Sequence, residues 1–263
     1  MIVERIWAGN SLRNYNYLVA CAETGEALAI DPLEYRQCLD VAKDRDWHIT
    51  QVLNTHEHHD HIGGNRGMIA ATNAQLIAHA NAGSRIRGVD RGVTAGDAIR
   101  VGNTIELECL DTPGHTMSHI CLLAHAPKPA LFSGDTLFNA GAGNCHNGGN
   151  PEVLYETFSQ QLDRIDHDAK LYPGHDYLLG NLRFTLDREP SNAAAAALLA
   201  EVEGLEGIDA PVTTLGQEKA INTFFRLREP NVIDALREIF CDLPAEPSEK
   251  SVFLRLRDLR NRW

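Results

Sequence analysis

The chain has 263 residues, 43% of them hydrophobic, and carries a formal net charge of −12 with an isoelectric point near 5.4. That length suits one large domain, or a large and a small one. The acidic balance excludes a general binder of nucleic acid or of an anionic membrane surface. No apolar run approaches the roughly 18 residues of a membrane helix. The opening MIVERIWAGNSLRNYNYLV lacks the basic-then-apolar order of a signal peptide, and six scattered cysteines form no C-x-x-C pair. A cytoplasmic protein with reduced thiols is therefore expected, as a monomer or weak homo-oligomer.

In chain order, alternating or continuous apolar stretches predict strands at Ile2–Trp7, Tyr15–Cys21, Ala27–Asp31, Ile49–Leu53, Gln75–Ala78, Thr104–Asp111, His119–Leu123 and Leu131–Ser133, with a short one at Leu171-Tyr172. Turn pairs such as Thr24-Gly25, Asp31-Pro32, Pro113-Gly114 and Gly134-Asp135 separate them. Helices are expected at about Leu33–Asp46 and Gly63–Thr72. Another should open at Asn150-Pro151-Glu152, where an Asn cap, a first-turn Pro and an acid meet the positive helix end. After about Tyr177 the pattern turns helical: Ser191–Leu205, a helix opened by the capping box Thr214-Leu215-Gly216-Gln217, Val232–Phe240 and Ser251–Arg260. The reading is a layered α/β domain over 1–178 and a small all-helical domain over 179–263.

The chemistry concentrates in NTHEHHDHIGG, Asn54 to Gly64, where four of eleven residues are histidines and two are carboxylates. The run follows an apolar strand, where active-site groups commonly sit. His115 in DTPGHT, Asp135 in FSGDT and His175 in LYPGHD occupy the same local context, a Gly-bearing loop after a strand. Together His56, His58, His61, His115 and His175 with Asp60 and Asp135 make five imidazoles and two carboxylates. Seven donors exceed what one tetrahedral zinc uses and suit two metal ions sharing a carboxylate. A set of imidazole and carboxylate without thiolate is compatible with Zn, Fe or Mn. The other histidines, His59 and His119 among them, read as structural, His146 excepted. Glu57 lacks the H-E-x-x-H spacing of a zinc-protease base.

Thr55 to His61 fits T-H-x-H-x-D-H, and with His115, Asp135 and His175 in order the chain resembles the metallo-β-lactamase superfamily. Within it, NYNYLV, AIDP, GDTLF, PGHDY and the tail segment TTLGQEKAIN are similar to glyoxalase II, the hydroxyacylglutathione hydrolases. The resemblance implies an αββα sandwich with a helical substrate-binding tail, and a hydrolase that cleaves S-D-lactoylglutathione to glutathione and D-lactate. It implies that His56, His58 and His115 hold one divalent ion, that Asp60, His61 and His175 hold the other, and that Asp135 bridges. The two ions, zinc foremost, would generate a bridging hydroxide that attacks the thioester carbonyl, with Asp60 and Asp135 as the catalytic carboxylates. Tyr177, Arg257 and Arg260 match family contacts to glutathione. Where the family usually carries Lys or Arg and an aromatic, this chain has Asn144 and His146. Competing readings are a hydrolase of a different thioester, ester or lactone, and a non-catalytic metal or ligand sensor on the same fold.

Overall fold

Strands β1 (Ile2–Trp7), β2 (Tyr15–Ala20), β3 (Glu26–Ile30), β4 (His48–Leu53), β5 (Gln75–His79) and β6 (Arg91–Val93) form a six-stranded sheet in sequence order in a computed structural model that describes all 263 residues. β1, β2 and β3 pair antiparallel, whereas β3 to β6 run parallel. The parallel half needs crossovers, supplied by α1 (Tyr35–Asp44) and by α2 (His59–Ile62) with α3 (Asn65–Thr72). A second sheet contains β7 (Ala98–Val101), β8 (Ile105–Asp111), β9 (Ile120–Ala124) and β10 (Ala130–Gly134). After the hairpin β11 (Leu137–Phe138) and β12 (Gly141–Ala142) and helix α4 (Pro151–Gln160), β13 (Lys170–Pro173) completes it in the order β13-β10-β9-β8-β7.

β2 shows why the layers stack. All six residues of YNYLVA are buried, as a strand covered on both faces must be. Leu18 and Ala20 join Ala27, Ala29, Val52 and Leu76 in one core with Cys38 and Ala42 of α1 and Met68 of α3. On the opposite face the Tyr17 ring meets Phe132 of β10 at 5.7 Å and Tyr172 of β13 at 5.6 Å. The sequence pattern thus dictates a helix layer on one side and a second sheet on the other.

Beyond Pro173 the chain has no strand and folds into α5 (Leu178–Arg188), α6 (Ala193–Val202), α7 (Leu215–Ile221), α8 (Pro230–Arg237) and α9 (Glu249–Arg260). The caps are those expected: Asn150 accepts from the N–H groups of Glu152 and Val153 ahead of α4, and Thr214 and Gln217 complete a reciprocal capping box on α7. Several boundaries differ. Helical geometry begins at His59, four residues before the expected Gly63, as a single turn. α8 starts at Pro230 and ends at Arg237, where the following residues form turns. α5 was not expected, because Gly180 and Thr185 dilute its propensity. Its buried Leu178, Leu182, Phe184 and Thr185 supply the packing that propensity lacks. The short strands β6 and β7 also escaped the pattern.

The chain divides into two compact units. The first comprises Met1–Thr112, Ser118–Gly134 and Tyr172–His175; the second comprises Pro113–Met117, Asp135–Leu171 and Asp176–Trp263. The helical tail therefore shares its unit with the β11–β12 hairpin, α4 and the His115 loop.

Candidate metal centre

In the first unit, β3 and β4 lie side by side in parallel register and end together at Ile30 and Leu53. The loops beyond the carboxyl ends of parallel strands are the usual ligand crevice. Asp31 follows β3 at φ 47°, a left-handed conformation that Asp tolerates better than most residues. One of its oxygens accepts from Thr55 N–H at 2.8 Å. The other accepts from the Thr55 hydroxyl at 2.6 Å and pairs with His61 Nδ1 at 2.9 Å. The one-turn helix α2 places Asp60 and His61 consecutively. Packing closes directly behind that turn: a Cβ at Gly64 would overlap the Pro32 carbonyl, so no larger residue fits there.

His175 follows β13. Its Nδ1 donates to Leu12 O at 2.7 Å, and Asn14, bridged to it in antiparallel fashion, donates from Nδ2 to Asp60 Oδ2 at 3.0 Å. The ligand atoms of Asp60, His61 and His175 all lie within 4.8 Å of one another. A carbonyl only accepts, so His175 Nδ1 carries a proton, which in the neutral ring leaves the lone pair on Nε2. The Asp31 carboxylate imposes the same tautomer on His61. The two Nε2 atoms face each other at 3.2 Å, and Asp60 Oδ2 stands 3.5 Å from one and 3.4 Å from the other. Three electron-rich atoms converging in a largely buried place repel one another unless a cation lies among them. Their spacing is close to the roughly 3.3 Å separating donors that sit about 2.0–2.1 Å from a tetrahedral ion. A hydrogen-bond acceptor on the remote nitrogen of each imidazole is the usual support of a metal-ligating histidine. These residues fit a divalent cation.

His56 is buried, with Nδ1 3.0 Å from the Thr55 hydroxyl and Nε2 3.0 Å from Nδ1 of the half-buried His58. In the second unit, the loop Pro113–Met117 carries His115, whose Nδ1 donates to Asn144 O at 2.6 Å and whose Nε2 lies 3.5 Å from Asp135 Oδ2. Both residues are buried. Two of the histidines read as structural stay outside this set: His119 pairs with the Thr112 hydroxyl at 2.9 Å, and His59 is exposed. Glu57 accepts from Ser118 Oγ at 2.8 Å and pairs with Arg85.

The second unit also holds a cavity of about 310 Å³, and Asn144, His146, Tyr177, Arg257 and Arg260 all line it. Arg257 is 4% exposed. Its Nη1 donates to Ala142 O at 2.7 Å and Gly143 O at 3.0 Å, and its Nε to Asn261 Oδ1 at 3.0 Å. Burial, then the neighbouring charge of Arg260, pulls its pKa down to about 10. Arg260 donates from Nε and Nη2 to Asn181 Oδ1 at 3.2 and 3.0 Å, and burial lowers its pKa as well. Both guanidiniums are held by neutral oxygens, which leaves their charge for an anionic ligand. Asn144 turns its Oδ1 back to the His146 N–H at 3.2 Å.

Sequence reasoning did not single out Asn14, Asp31 or Asn181. Each is a buried polar residue, and a polar residue closing an apolar strand, as in Ile30-Asp31-Pro32, was the available signal for the second of them.

Comparison with known proteins gives concordant results. The family model described as the metallo-beta-lactamase superfamily matches residues 20–175, and that described as the hydroxyacylglutathione hydrolase C-terminus matches residues 176–263. A hydroxyacylglutathione hydrolase of Polaromonas sp. (strain JS666) is 65% identical over 263 residues, the full length of both chains. One of Nitrosococcus oceani is 60% identical over the same span. Among solved structures, ETHE1 from Myxococcus xanthus superposes with a TM-score of 0.68 at 26% identity, covering 98% of this chain and 99% of that one. TTHA1623 in a di-iron-bound form shares the fold, with a TM-score of 0.58 at 22% identity over 84% of this chain and 99% of that one. No helix is long and apolar enough to cross a membrane.

Proposed function

The chain belongs to the hydroxyacylglutathione hydrolase family of the metallo-β-lactamase superfamily, and from that premise we propose that it hydrolyses S-2-hydroxyacylglutathione thioesters, S-D-lactoylglutathione foremost, to glutathione and the 2-hydroxy acid. The observation that carries hydrolysis is the convergence of His61 Nε2, His175 Nε2 and Asp60 Oδ2, each within 3.5 Å of the other two. In this reading Asp60, His61 and His175 would hold one divalent ion and His56, His58 and His115 a second, with Asp135 as a further carboxylate donor. Zinc is the first choice, with iron or manganese compatible with the nitrogen and oxygen donors. When bound, such ions supply a water of lowered pKa and a positive field for the developing oxyanion.

The chain's own groups do the rest. Asn14 holds Asp60 through Oδ2, so that this carboxylate accepts a hydrogen bond from the attacking water and aims it. Water adds to the thioester carbon as it gives up a proton by way of Asp60 to solvent, the C–S bond breaks, glutathione leaves with the electron pair as a thiolate, and the acid product loses its remaining proton to solvent. A thiolate departs without a dedicated acid near neutral pH. Arg257 and Arg260 are positioned to take a carboxylate of the glutathione portion, with Tyr177, Asn144 and His146 lining the same cavity. The helical segment 179–263 thereby supplies the charged groups of the substrate-binding part, and the stretch 138–146 with Tyr177 supplies the lining outside that segment. Six thiols without a disulfide suit the cytoplasm.

The test is a panel of thioesters, esters and lactones that includes S-D-lactoylglutathione, assayed beside elemental analysis of the purified protein. Fastest turnover of the glutathione thioester, lost on chelation and restored by a divalent ion, is expected. A lactone or non-glutathione ester turned over far faster would overturn the substrate assignment.

A further inference from the structure

The C-terminal helices grip one short segment of the second unit by its backbone. Of the six carbonyls from Asn139 to Asn144, five accept a hydrogen bond from a side chain. Asn139 O accepts from Asn181 of α5 at 2.9 Å, Gly141 O from Asn222 just after α7 at 3.0 Å, and Ala142 O and Gly143 O from Arg257 of α9. Asn144 O accepts from His115. The sixth residue is held by its amide, since Ala140 N donates to the buried Glu218 at 2.7 Å. A loop normally leaves its carbonyls to water and moves accordingly. Here the carbonyls are committed one after another. The segment also presses on its own approach: Gly143 N donates to Thr136 O at 3.1 Å, and a Cβ at Gly143 would overlap Asp135 O.

We propose that Arg257 is a positioning residue for His115. By clamping Ala142 O and Gly143 O it fixes the two peptides that lead into Asn144, and Asn144 O sets both the tautomer and the aim of the His115 ring. A guanidinium buried to 4% exposure with two N–H bonds to consecutive carbonyls is a rigid fork, which an ammonium or a methyl cannot reproduce. Helix α9 therefore contributes to metal affinity in addition to lining the substrate cavity. The inference rests on the proposed function only in taking His115 as a metal donor.

Cobalt(II) titration of the metal-free full-length protein, read by visible absorption and by competition with a chelator, separates the possibilities. Arg257→Ala should weaken one binding event by up to about 10-fold, the low end of the loss seen when the direct partner of a ligating histidine is removed, and should change the cobalt spectrum. Arg257→Lys should recover part of both. Arg255→Ala, on the same helix, which loses a surface pairing with Asp242, should leave affinity and spectrum as in the parent. Parent-like affinity and spectrum in Arg257→Ala, with only KM for the thioester raised, overturns the proposal. If circular dichroism shows that Arg257→Ala does not fold, Arg257→Lys decides: it keeps the charge but not the fork onto Ala142 O and Gly143 O, and a parent-like titration of that variant again overturns the proposal. A parent that binds cobalt but cleaves no glutathione thioester defeats the assigned substrate and leaves this test intact.

Discussion

Asp31→Asn changes one atom type at nearly constant volume, and its consequence follows from counting acceptors. The carboxylate takes three hydrogens: Thr55 N–H on one oxygen, and the Thr55 hydroxyl and His61 Nδ1–H on the other. An amide has one oxygen. Whichever way the substituted side chain is turned, its NH₂ must face either the Thr55 amide or His61 Nδ1, and two donors then meet in a site that is 3% exposed. If His61 yields, it moves its proton to Nε2 and loses the lone pair that faces His175 and Asp60. Metal affinity at this half of the site should fall about 10–100-fold, or about 1.4–2.8 kcal/mol at 1.4 kcal/mol per tenfold. If Thr55 yields, the metal-free fold should lose about 1.5–3 kcal/mol, the worth of a hydrogen bond to a charged group. Chelator competition measures the first and urea unfolding of the metal-free protein the second. A variant unchanged in both would refute the tautomer argument on which the fit of the site to a cation is built.

Asp135→Ala should lower metal content from two ions per chain toward one, measured by elemental analysis after dialysis, with most thioesterase activity lost. Arg260→Ala should raise KM for S-D-lactoylglutathione by roughly tenfold or more, as expected on losing a charge-assisted contact of about 1.5–3 kcal/mol, with kcat near the parent because a remote carboxylate is held alike in ground and transition states; a fall in kcat at constant KM contradicts the role. Glu218 is fully buried, and burial outweighs the hydrogen bonds it accepts from Thr213, Ala140 and Asn139, lifting its pKa from an ordinary 4.5 to about 7. The unfolded carboxyl ionises first as pH rises, so stability should decline from about pH 4.5 to about pH 7, on the order of 3 kcal/mol, and level off above. Glu218→Gln should flatten that slope relative to the parent in urea melts at pH 5 and 8, and an identical slope in both proteins would remove Glu218 as its source.

The positions of His56, His58, His115, Asp135 and His175 were legible because each stands just after an apolar strand, in a loop that carries glycine. The partnership of Asp31 with Thr55 and His61 was not. It spans 24 and 30 positions and exists only because β3 and β4 run parallel in one register, which no local pattern states. Arg257 shows the other kind of gap, in its burial rather than in its candidacy for the site, which the resemblance already implied. In sequence it stands among Arg255, Arg260 and Arg262 as one basic residue of a helix. In the structure Arg255 reaches Asp242 and Arg262 reaches Asp258, both at the surface, while Arg257 shares the inner face of α9 with Val252, Phe253 and Leu256. Helical spacing from Phe253 to Arg257 was enough to place it there, had the charge not argued for solvent. The β11–β12 hairpin lay beyond reach for a plainer reason. Two-residue strands carry no period, and the side chains that hold them come from about 40 to 115 positions away.

The last residue of the chain is one of its three tryptophans. Trp263 lines the cavity, meets Phe184 edge-on at 5.5 Å and keeps 56% of its surface exposed. Indole emission shifts to the blue as water leaves the ring, so a ligand that fills the cavity and dries this face announces itself in the protein's own fluorescence. The other indoles, Trp7 and Trp47, lie against Arg13 and Arg45 in the first unit and can be replaced by phenylalanine to silence the background. The chain then carries a label-free optical gauge of cavity occupancy, readable on the millisecond scale of a stopped-flow mixing experiment and independent of whether the bound molecule is ever cleaved.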